Sequence, residues 1–510
     1  MKKGFFLLVF IFLLAISFRL GAVFATRDII YHGDAMYLLF ARNISDGKFH
    51  VDFGGFGNGY WFQPGYPMAI AFFNFFIHDF VISSQLISVI AGGLVIFPLF
   101  YLAKKIFGLE TAYLCAGLIV LYPALNIIST KILTESLFTV LFITSIYLGY
   151  IALEGNKKYF FFSGIIIGFS FLVKEVGLFT GIMLSGCIGI RALKNRKEIS
   201  SLLLLILGIF IVISPWLIYL RRETGQWILV PKTGYNLCLY YKFKGAILNK
   251  LATGFAITEE SKDISLFGLI NEQPFRVMKH FFVNFWKVYH EILPGLVPFF
   301  LIGFLFLGFL DSTKRFFKTS LYILSFFIPF FVLYPLVAVY DNYFTPLLPL
   351  AVLWMARGIS FLKEHIVSFG KKSVPLTFYF IIFLFVFLTF GVELKLEIGN
   401  IRRADNGWSK ANRDVGLWLK QHKDKRKPRI ISRTPHAVFF AEGEYIFLPQ
   451  ENLERILEFA RYIKADYIIL DKSFKDIYPK LQSLFISTPY PLKLLYRYAT
   501  ANQEFLIFSL

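Results

Sequence analysis

Long apolar runs recur along most of the chain and constrain its fold more than any other feature. About 20 apolar residues in a helix cross the roughly 30 Å of hydrocarbon in a bilayer, and we predict about eleven such spans. They are Phe5–Phe24, Val81–Leu102, Thr111–Ile128, Thr134–Leu153, Tyr159–Val173, Val176–Ile190, Leu202–Leu220, Ile292–Leu310, Leu321–Tyr340, Tyr343–Phe361 and Val374–Val392. Gly65–Phe76 is shorter and predicts an interfacial or re-entrant helix. The pattern indicates an α-helical polytopic membrane protein.

The composition agrees with this class and accounts for the net charge. Of the 510 residues, 56% are hydrophobic and 17% are charged, whereas about a quarter is charged in a typical soluble domain. A net charge of +20 would suggest a nucleic-acid partner for a soluble chain. Because the cytoplasmic loops of membrane proteins are enriched in Lys and Arg, we expect a lipid bilayer and no nucleic acid. The sequence leaves the oligomeric state open.

Basic residues between the predicted spans indicate an orientation. We treat the first run as a span because it is too long for the apolar core of a signal peptide and lacks a small-residue cleavage site. With Lys2 and Lys3 inside, every second short loop is basic, and those loops contain Lys104, Lys105, Lys157, Lys158, Arg191, Lys194, Arg196, Lys197, Lys314, Arg315, Lys318, Lys363, Lys371 and Lys372. We therefore predict a multi-pass protein of the cell (inner) membrane with a cytoplasmic N-terminus. Residues 25–80 and 221–291 then form external loops.

The last part of the chain has the pattern of a soluble domain. After the spans of residues 1–392, residues 393–510 alternate short apolar strands with helical patterns. The predicted strands are Arg429–Ser432, Tyr445–Leu448 and Tyr467–Leu470, the helices are Trp408–His422 and Asn452–Lys464, and a closing hairpin is formed by Leu492–Tyr498 and Gln503–Phe508. We expect a C-terminal soluble α/β domain on the outer side.

Charged residues in or beside the spans are the first candidates for function, because charge at membrane depth is costly. Most of them fall on the predicted outer side: Arg19, Asp34, Lys131, Glu135, Lys174, Glu175, Arg221, Arg222 and Asp341. This set suits a reaction on an anionic membrane-bound substrate. Interfacial anchoring is the alternative for each residue, and for Arg19 it would take the form of snorkelling to the outer headgroups.

Motifs for several other chemistries are missing from the sequence. The chain contains no GxxxxGK phosphate loop, no HExxH zinc motif and no GxSxG nucleophile elbow. His32 stands two residues before Asp34 and could join it on a metal, although a solvated loop histidine is the simpler interpretation.

An ordered set of loose motifs over residues 1–360 resembles the GT-C class of integral-membrane glycosyltransferases, in particular the relatives of protein O-mannosyltransferases and lipid A aminoarabinose transferases. The chain departs from the family pattern at Lys174-Glu175, where the family has Arg-Pro, and at Asn342, where the family has Arg. The matching elements are Asp34, Tyr37 and Ala41, then Gln63–Pro67, Thr134–Glu135, Gly164–Leu172, Pro215–Trp216 with Arg221, and Asn342–Pro349.

The resemblance implies a GT-C fold and an inverting transfer of a hexose or pentose. The donor would be a sugar on a polyprenyl phosphate, and the acceptor an envelope glycan, lipid or protein. We expect Asp34 to be the catalytic base, with Glu135 orienting it or the acceptor, or sharing a divalent cation with it. Phosphate binding is assigned to Arg221, Arg222, Lys174, Lys131 and Arg19, and substrate lining to Tyr37, His32 and Tyr343.

A transporter or flippase of lipid-linked saccharides is the alternative from another class. Such proteins often carry internal repeats and charged residues near the middle of the membrane. Here the charges cluster at one interface and no internal repeat is evident. The sequence therefore favours a glycosyltransferase.

Overall fold

The computed structural model describes residues 2–27, 29–30, 34–52, 58–59, 62–230, 266–368, 376–449, 451–476, 478–487 and 492–510. Helices dominate up to residue 405. In chain order they are α1 Lys2–Thr26, α2 Asp34–Ser45, α3 Gly65–Ile77, α4 Phe80–Leu94, α5 Ile96–Phe107, α6 Leu109–Val120, α7 Pro123–Ile128, α8 Glu135–Leu153, α9 Lys158–Val173, α10 Gly177–Lys194, α11 Ile199–Thr224, α12 Leu266–Glu272, α13 Pro274–Lys287, α14 Leu293–Leu296, α15 Phe299–Arg315, α16 Phe317–Ser325, α17 Ile328–Val337, α18 Asp341–Phe344, α19 Leu348–Ser368 and α20 Leu376–Asp405. The short strands β1 Val51–Asp52 and β2 Asn58–Gly59 pair antiparallel in the first predicted external loop.

The predicted number of eleven spans is not confirmed. Within the described residues, seven helices are long and apolar enough to cross a membrane, or eight if one bent pair forms a single span. That pair bends by 107° between α14 and α15. Two predicted crossings correspond to shorter apolar helices, because α6 and α9 contain only 12 and 16 residues. Helix α3, with 13 residues, occupies the segment predicted to be an interfacial or re-entrant helix. The seven helices are Gly4–Thr26, Phe80–Phe107, Glu135–Leu153, Gly177–Lys194, Arg196–Thr224, Phe317–Val337 and Asp341–Ile366.

Small residues allow several of these helices to pack backbone to backbone. A Cβ at Gly308 of α15 would overlap the main chain of α19, and one at Gly358 of α19 would overlap α15. Gly164 and Gly208 bring α9 and α11 together in the same way. Lipid provides little hydrophobic driving force between helices, so close contact of this kind stabilises membrane bundles.

The C-terminal region forms the predicted α/β domain. Its five-stranded sheet has the order β4-β3-β5-β7-β6, with β3, β4 and β5 parallel and the β6–β7 hairpin antiparallel. The apolar residues of β3, β5 and β7 are buried, whereas β6 is largely exposed. All five strands lie within one residue of their predicted bounds, which confirms the strand and hairpin predictions. The elements are α21 Trp408–His422, β3 Arg429–Ser432, α22 Pro435–Phe440, β4 Glu444–Phe447, α23 Leu453–Tyr462, β5 Tyr467–Asp471, β6 Lys493–Ala499 and β7 Glu504–Ser509.

This domain packs against the helix that carries Asp34. Arg42 of α2 donates hydrogen bonds to the carbonyl oxygens of Phe439 and Gly443, at 3.0 and 2.7 Å. Ser409 Oγ accepts from the Ile30 amide at 3.0 Å and lies 3.2 Å from the Ile30 carbonyl oxygen. Burial lowers the pKa of the Arg42 guanidinium. The contacts fix α2 between the helical bundle and the C-terminal domain.

Candidate active site

Asp34 begins α2 and is fully buried. The Ile132 amide, in the turn before α8, donates to Asp34 Oδ2 at 3.4 Å. A carboxylate at a helix N-terminus is favoured by the helix dipole and by the unpaired amides of the first turn. The sequence predicts the position of this residue at the outer edge of the membrane, and the structure adds its burial and its contact with the Ile132 turn.

Glu135 begins α8 and forms a buried cluster with two residues far away in sequence. Its Oε1 accepts from Lys174 Nζ at 2.8 Å and from Asn342 Nδ2 at 2.6 Å. Thr134 Oγ1 donates to Oε2 at 3.3 Å. The ammonium group of Lys174 pairs with the carboxylate, and the three donors together hold it in a single orientation. We call Glu135, Lys174, Asn342 and Tyr343 the ion-pair cluster.

Lys174 extends the cluster toward two stacked tyrosines. It stands in the turn between α9 and α10, and its Nζ lies 4.7 Å from the centre of the Tyr343 ring and 5.9 Å from that of Tyr334. The two rings stack with centroids 4.5 Å apart. A cation over an aromatic face is stabilised by the ring quadrupole. Tyr343 therefore packs against the cation of the cluster, and its role as a substrate-lining residue stays a prediction.

Tyr37 and Tyr66 connect α2 with the turn that contains Ile132. The Tyr37 ring meets Tyr66 edge-on, with centroids 5.5 Å apart. Tyr66 Oη lies 3.3 Å from Ser88 Oγ, which donates to the Lys131 carbonyl at 3.1 Å. Burial raises the pKa of the Tyr37 hydroxyl well above its ordinary value of 10.0, and the charge of Glu135 raises it further. Tyr37 is therefore a neutral hydroxyl at physiological pH.

The predicted phosphate ligands other than Arg19 occupy three different environments. Lys174 belongs to the ion-pair cluster, and Lys131 is half-buried in the turn that contacts Asp34. Arg221 and Arg222 are exposed in the last turn of α11. Within the described residues, the structure does not join their side chains to the cluster by a hydrogen bond or ion pair.

Arg19 lies inside the bundle and does not extend to the headgroups. Its guanidinium is fully buried, and Nη1 donates to the Ala15 carbonyl at 3.1 Å, back toward the N-terminal end of α1. It borders a small cavity lined by Ser129, Ser136 and Thr139. The last two residues belong to the beginning of α8, shortly after Glu135. Snorkelling does not describe this conformation.

A cation shared by Asp34 and Glu135 does not suit these contacts. Glu135 Oε1 already accepts from an ammonium group and an amide, and a divalent cation beside Lys174 would be repelled. No group of three or more His, Cys, Asp and Glu in the described ranges could hold a metal. His32, predicted to line the substrate and considered beside Asp34 as a metal ligand, lies outside the described residues.

The sequence analysis missed three contributors to the site. It treated Asn342 as a departure from a motif, whereas in the structure the side-chain amide of Asn342 donates a hydrogen bond to Glu135. Tyr334 and Tyr66 are absent from the predicted set, because each occupies an apolar helix and reads as a packing residue. For Asn342 the signal was its place in an otherwise matching motif beside Tyr343.

Comparisons with known proteins agree with this architecture. Residues 63–219 match the profile of the family described as dolichyl-phosphate-mannose-protein mannosyltransferase. Glu135 and Lys174 both fall inside the matched segment. A search of the curated proteins found no match.

Solved structures match nearly the whole chain at low identity. The ArnT of Cupriavidus metallidurans bound to undecaprenyl phosphate is 11% identical, with a TM-score of 0.56 over 97% of both chains. The oligosaccharyltransferase of Archaeoglobus fulgidus in complex with zinc and sulfate is 14% identical, with a TM-score of 0.58 over 92% of this chain and 68% of the other. The same archaeal enzyme, AglB, with an inhibitory peptide and a dolichol-phosphate gives a TM-score of 0.50 at 14% identity, over 90% of this chain and 70% of the other.

These matches confirm the predicted fold class, a polytopic GT-C membrane fold with a C-terminal domain. They also confirm the resemblance to membrane-embedded glycosyltransferases. Apolar helices and membrane-protein matches together identify a multi-pass membrane protein.

Proposed function

We propose that this protein is an inverting glycosyltransferase that moves a sugar from a polyprenyl-phosphate donor to an acceptor hydroxyl on the outer face of the cell membrane. The observation that carries the proposal is the pairing of buried Lys174 with buried Glu135 at the turn next to buried Asp34. A merely structural set would not be expected to bury two carboxylates and a lysine at one edge of a membrane domain. The family profile and the fold support the same activity class.

Direct displacement at the anomeric carbon accounts for the chemistry. The acceptor oxygen attacks that carbon, the bond from the carbon to the phosphate oxygen breaks, and the acceptor proton passes to the Asp34 carboxylate. A base positioned in this way typically contributes about 10²–10⁴-fold to the rate. The leaving lipid monophosphate has a second pKa of about 6, so it departs without a general acid. A single displacement inverts the anomeric configuration.

The remaining residues orient the reactants. Lys174, held by Glu135 over the Tyr343 ring, supplies positive charge on the donor side of the site. Lys131 supplies a second cation beside Asp34, and Arg221 and Arg222 present guanidinium forks at the exposed end of α11, a geometry that matches phosphate oxygens. Arg19 is enclosed in the bundle beside a small cavity that Ser136 and Thr139 of α8 also line, which favours a positioning role over direct phosphate binding.

The domain assignment follows from the same orientation. Residues 1–392 would form the catalytic membrane domain, and residues 393–510 an extracytoplasmic domain that packs on α2. Helix α20 runs through this boundary without a break, which would carry the chain from the membrane directly into the outer domain. The N-terminus would lie in the cytoplasm.

A donor panel tests the proposal. The full-length protein in proteoliposomes is given polyprenyl-phosphate hexoses and pentoses, each labelled in the sugar, and release of polyprenyl phosphate and the configuration of the product are measured. Transfer or slow hydrolysis from at least one donor with inversion supports the proposal. No turnover of any donor, together with accumulation of a lipid-linked saccharide or solute on one side of the membrane, would instead identify the alternative transporter or flippase.

A further inference from the structure

A buried arginine lies in the helical bundle without a counter-charge. Arg19 is fully buried on α1, and its Nη1 donates to the Ala15 carbonyl oxygen. In the part of the chain that the structure describes, its Nε and Nη2 have no hydrogen-bond partner, and no carboxylate forms an ion pair with it. The guanidinium therefore brings a positive charge and two free donor nitrogens into the bundle.

An unpaired charge at this position is unfavourable. A guanidinium keeps its proton at neutral pH, so Arg19 cannot become neutral to reduce the cost of its burial. Charged side chains within membrane helices usually pair with an opposite charge, because the interior stabilises an isolated ion poorly. The single carbonyl oxygen that Arg19 contacts carries only a partial charge. The site therefore favours an anionic partner.

Arg19 lines a small internal cavity together with residues of α4, α7 and α8. The cavity has a volume of about 10 Å³, which corresponds to roughly one water-sized particle. Its wall combines apolar side chains with the hydroxyl groups of Ser129, Ser136 and Thr139. A ligand there would be monatomic or as small as water.

The glycine at position 92 of α4 leaves space beside the guanidinium. A Cβ on Gly92 would overlap Ser129 Oγ and would lie 2.9 Å from Arg19 Nε. Any larger residue at this position would displace the arginine, the serine or both. The absence of a side chain on Gly92 thus allows the free Nε–H and the Ser129 hydroxyl to border the same cavity.

The hydroxyl groups of the wall differ in what they can offer a ligand. Ser129 Oγ donates to the Leu125 carbonyl oxygen at 2.9 Å. Thr139 Oγ1 donates to the Glu135 carbonyl oxygen at 2.6 Å. Ser136 Oγ has a contact of 3.5 Å with Ser129 Oγ, which is at the limit of a hydrogen bond. The Ser136 hydroxyl can therefore turn its hydrogen into the cavity and act as a third donor beside the two guanidinium nitrogens.

The start of α8 adds to the positive potential at the cavity. Ser136 belongs to the first turn of this 19-residue helix, and the unpaired amides of a first helical turn favour negative charge. The carboxylate of Glu135 at the same helix end is already paired with Lys174. An anion beside Ser136 would therefore face cationic and dipolar groups that favour it.

We propose that this cavity binds a halide ion, with chloride as the abundant one in biological fluids, as a buried counter-ion for Arg19. The ion accepts hydrogen bonds from Arg19 Nε and Nη2 and from Ser136 Oγ, and it connects α1 with the start of α8. Halides are the anions nearest to water in size, whereas phosphate and sulfate are too large for the cavity. The site would exist whether or not the protein is a transferase.

Thermal unfolding in different anions tests the site. Full-length protein is purified in detergent with sodium gluconate throughout, and is then titrated with sodium chloride, bromide or sulfate at constant ionic strength. A ligand that binds only the folded state raises the unfolding temperature with its concentration. We expect a saturable rise of at least about 2 °C with chloride and bromide and no such rise with sulfate. An unfolding temperature that does not respond to halides would overturn the proposal and indicate that water occupies the cavity.

Arg19→Met should abolish the response to halides. Replacement of buried charge by an apolar side chain of similar size is often tolerated, so we expect this variant to fold. Arg403→Met, at an exposed arginine of α20, is the matched control and should keep the full response. An equal response in the two variants would mean that the ion binds elsewhere, which would overturn the location.

Ser136→Ala tests the third donor. Loss of one hydrogen bond to a charged ligand should raise the Kd for chloride by at least about tenfold. Ser145→Ala, at a buried serine farther along α8 that does not line the cavity, should bind chloride as the wild type does. An unchanged Kd in Ser136→Ala would overturn the assignment of this hydroxyl as a ligand.

Diffraction from wild-type crystals grown in bromide locates the ion without any variant. The anomalous signal of bromine should give a peak in contact with Arg19 Nε and Nη2 and with Ser136 Oγ. The absence of a peak in this cavity would overturn the proposal, even if halides raise the unfolding temperature.

Discussion

Lys174 Nζ lies 2.8 Å from Glu135 Oε1, and only 10% and 3% of the two side chains are exposed. The two residues belong to different helix ends, 39 positions apart. A buried pair of this kind costs desolvation of both charges, which the mutual attraction offsets only while both partners are present. The pair is therefore a sensitive point for stability as well as for chemistry.

Removal of one partner of this pair should be more harmful than removal of both. We expect Lys174→Met or Glu135→Gln alone to lower the free energy of unfolding by about 3–5 kcal/mol. Lys174→Met leaves the buried Glu135 carboxylate without its counter-charge, and Glu135→Gln leaves the buried Lys174 ammonium without its counter-charge. The double variant should lose less than the sum of the single losses. Denaturation in detergent, analysed as a double-mutant cycle, measures this coupling. Additive losses would contradict a direct interaction.

Asp34→Asn should reduce the rate constant of transfer by about 10²–10⁴-fold and leave donor binding nearly unchanged. Asparagine keeps the size of the side chain and its capacity to accept from the Ile132 amide, but it cannot take the acceptor proton. Single-turnover transfer and equilibrium donor binding separate the two effects. Asp46→Asn, just beyond the other end of α2, is the matched control and should retain wild-type transfer. Full activity of Asp34→Asn would disprove its role as base.

Arg42 is a positioning residue for Asp34, two helical turns away on α2. Its two hydrogen bonds tie this helix to the C-terminal domain, so Arg42→Met should lower kcat about tenfold through misplacement of Asp34 with little change in donor KM. Arg42→Lys, which can still donate to one carbonyl, should restore part of kcat. Arg403→Met, at an exposed site on α20, serves as control. A rise in donor KM without a fall in kcat would argue against positioning.

The closing hairpin should lose stability in acid through Glu504. Hydrogen bonds from Lys472 lower the pKa of this carboxyl, and Arg497 adds to the effect. Because the folded pKa is below the unfolded one, the stabilisation is present above the unfolded pKa, near about 4.3, and is lost as the pH falls through the folded pKa. Amide hydrogen exchange, corrected for intrinsic rates, should show β6 and β7 losing protection over that interval.

Glu504→Gln provides the comparison for the acid effect. The amide cannot ionise, so this variant should show weaker protection of β6 and β7 at neutral pH and a smaller change in protection over the same acid interval. A parallel pH dependence in the variant and the wild type would show that another group controls the hairpin. Strands β3 and β4, which do not contact Glu504, serve as the internal reference.

Local pattern was sufficient for most of the secondary structure. Trp408–His422 and Arg429–Ser432 have the predicted bounds, and the first span, α8 and the hairpin agree within a few residues. Hydrophobic periodicity and helix-end chemistry act over a few neighbours, so they can be read from the chain itself. The number of crossings could not be read from the chain. Whether a 12-residue or 16-residue apolar helix crosses the bilayer depends on its tilt and on the helices that it packs against.

The sequence by itself determined that this is a polytopic membrane protein with a C-terminal α/β domain, and it predicted that Asp34 and Glu135 lie at one edge of the membrane. Only the tertiary structure decided which charged side chains are buried and which partners they have. Glu135 accepts a hydrogen bond from Asn342, 207 positions away, and Arg19 is enclosed while Arg221 and Arg222 are exposed. Burial and pairing of charge arise from contacts between segments that are distant in sequence, and a linear pattern contains no record of those contacts.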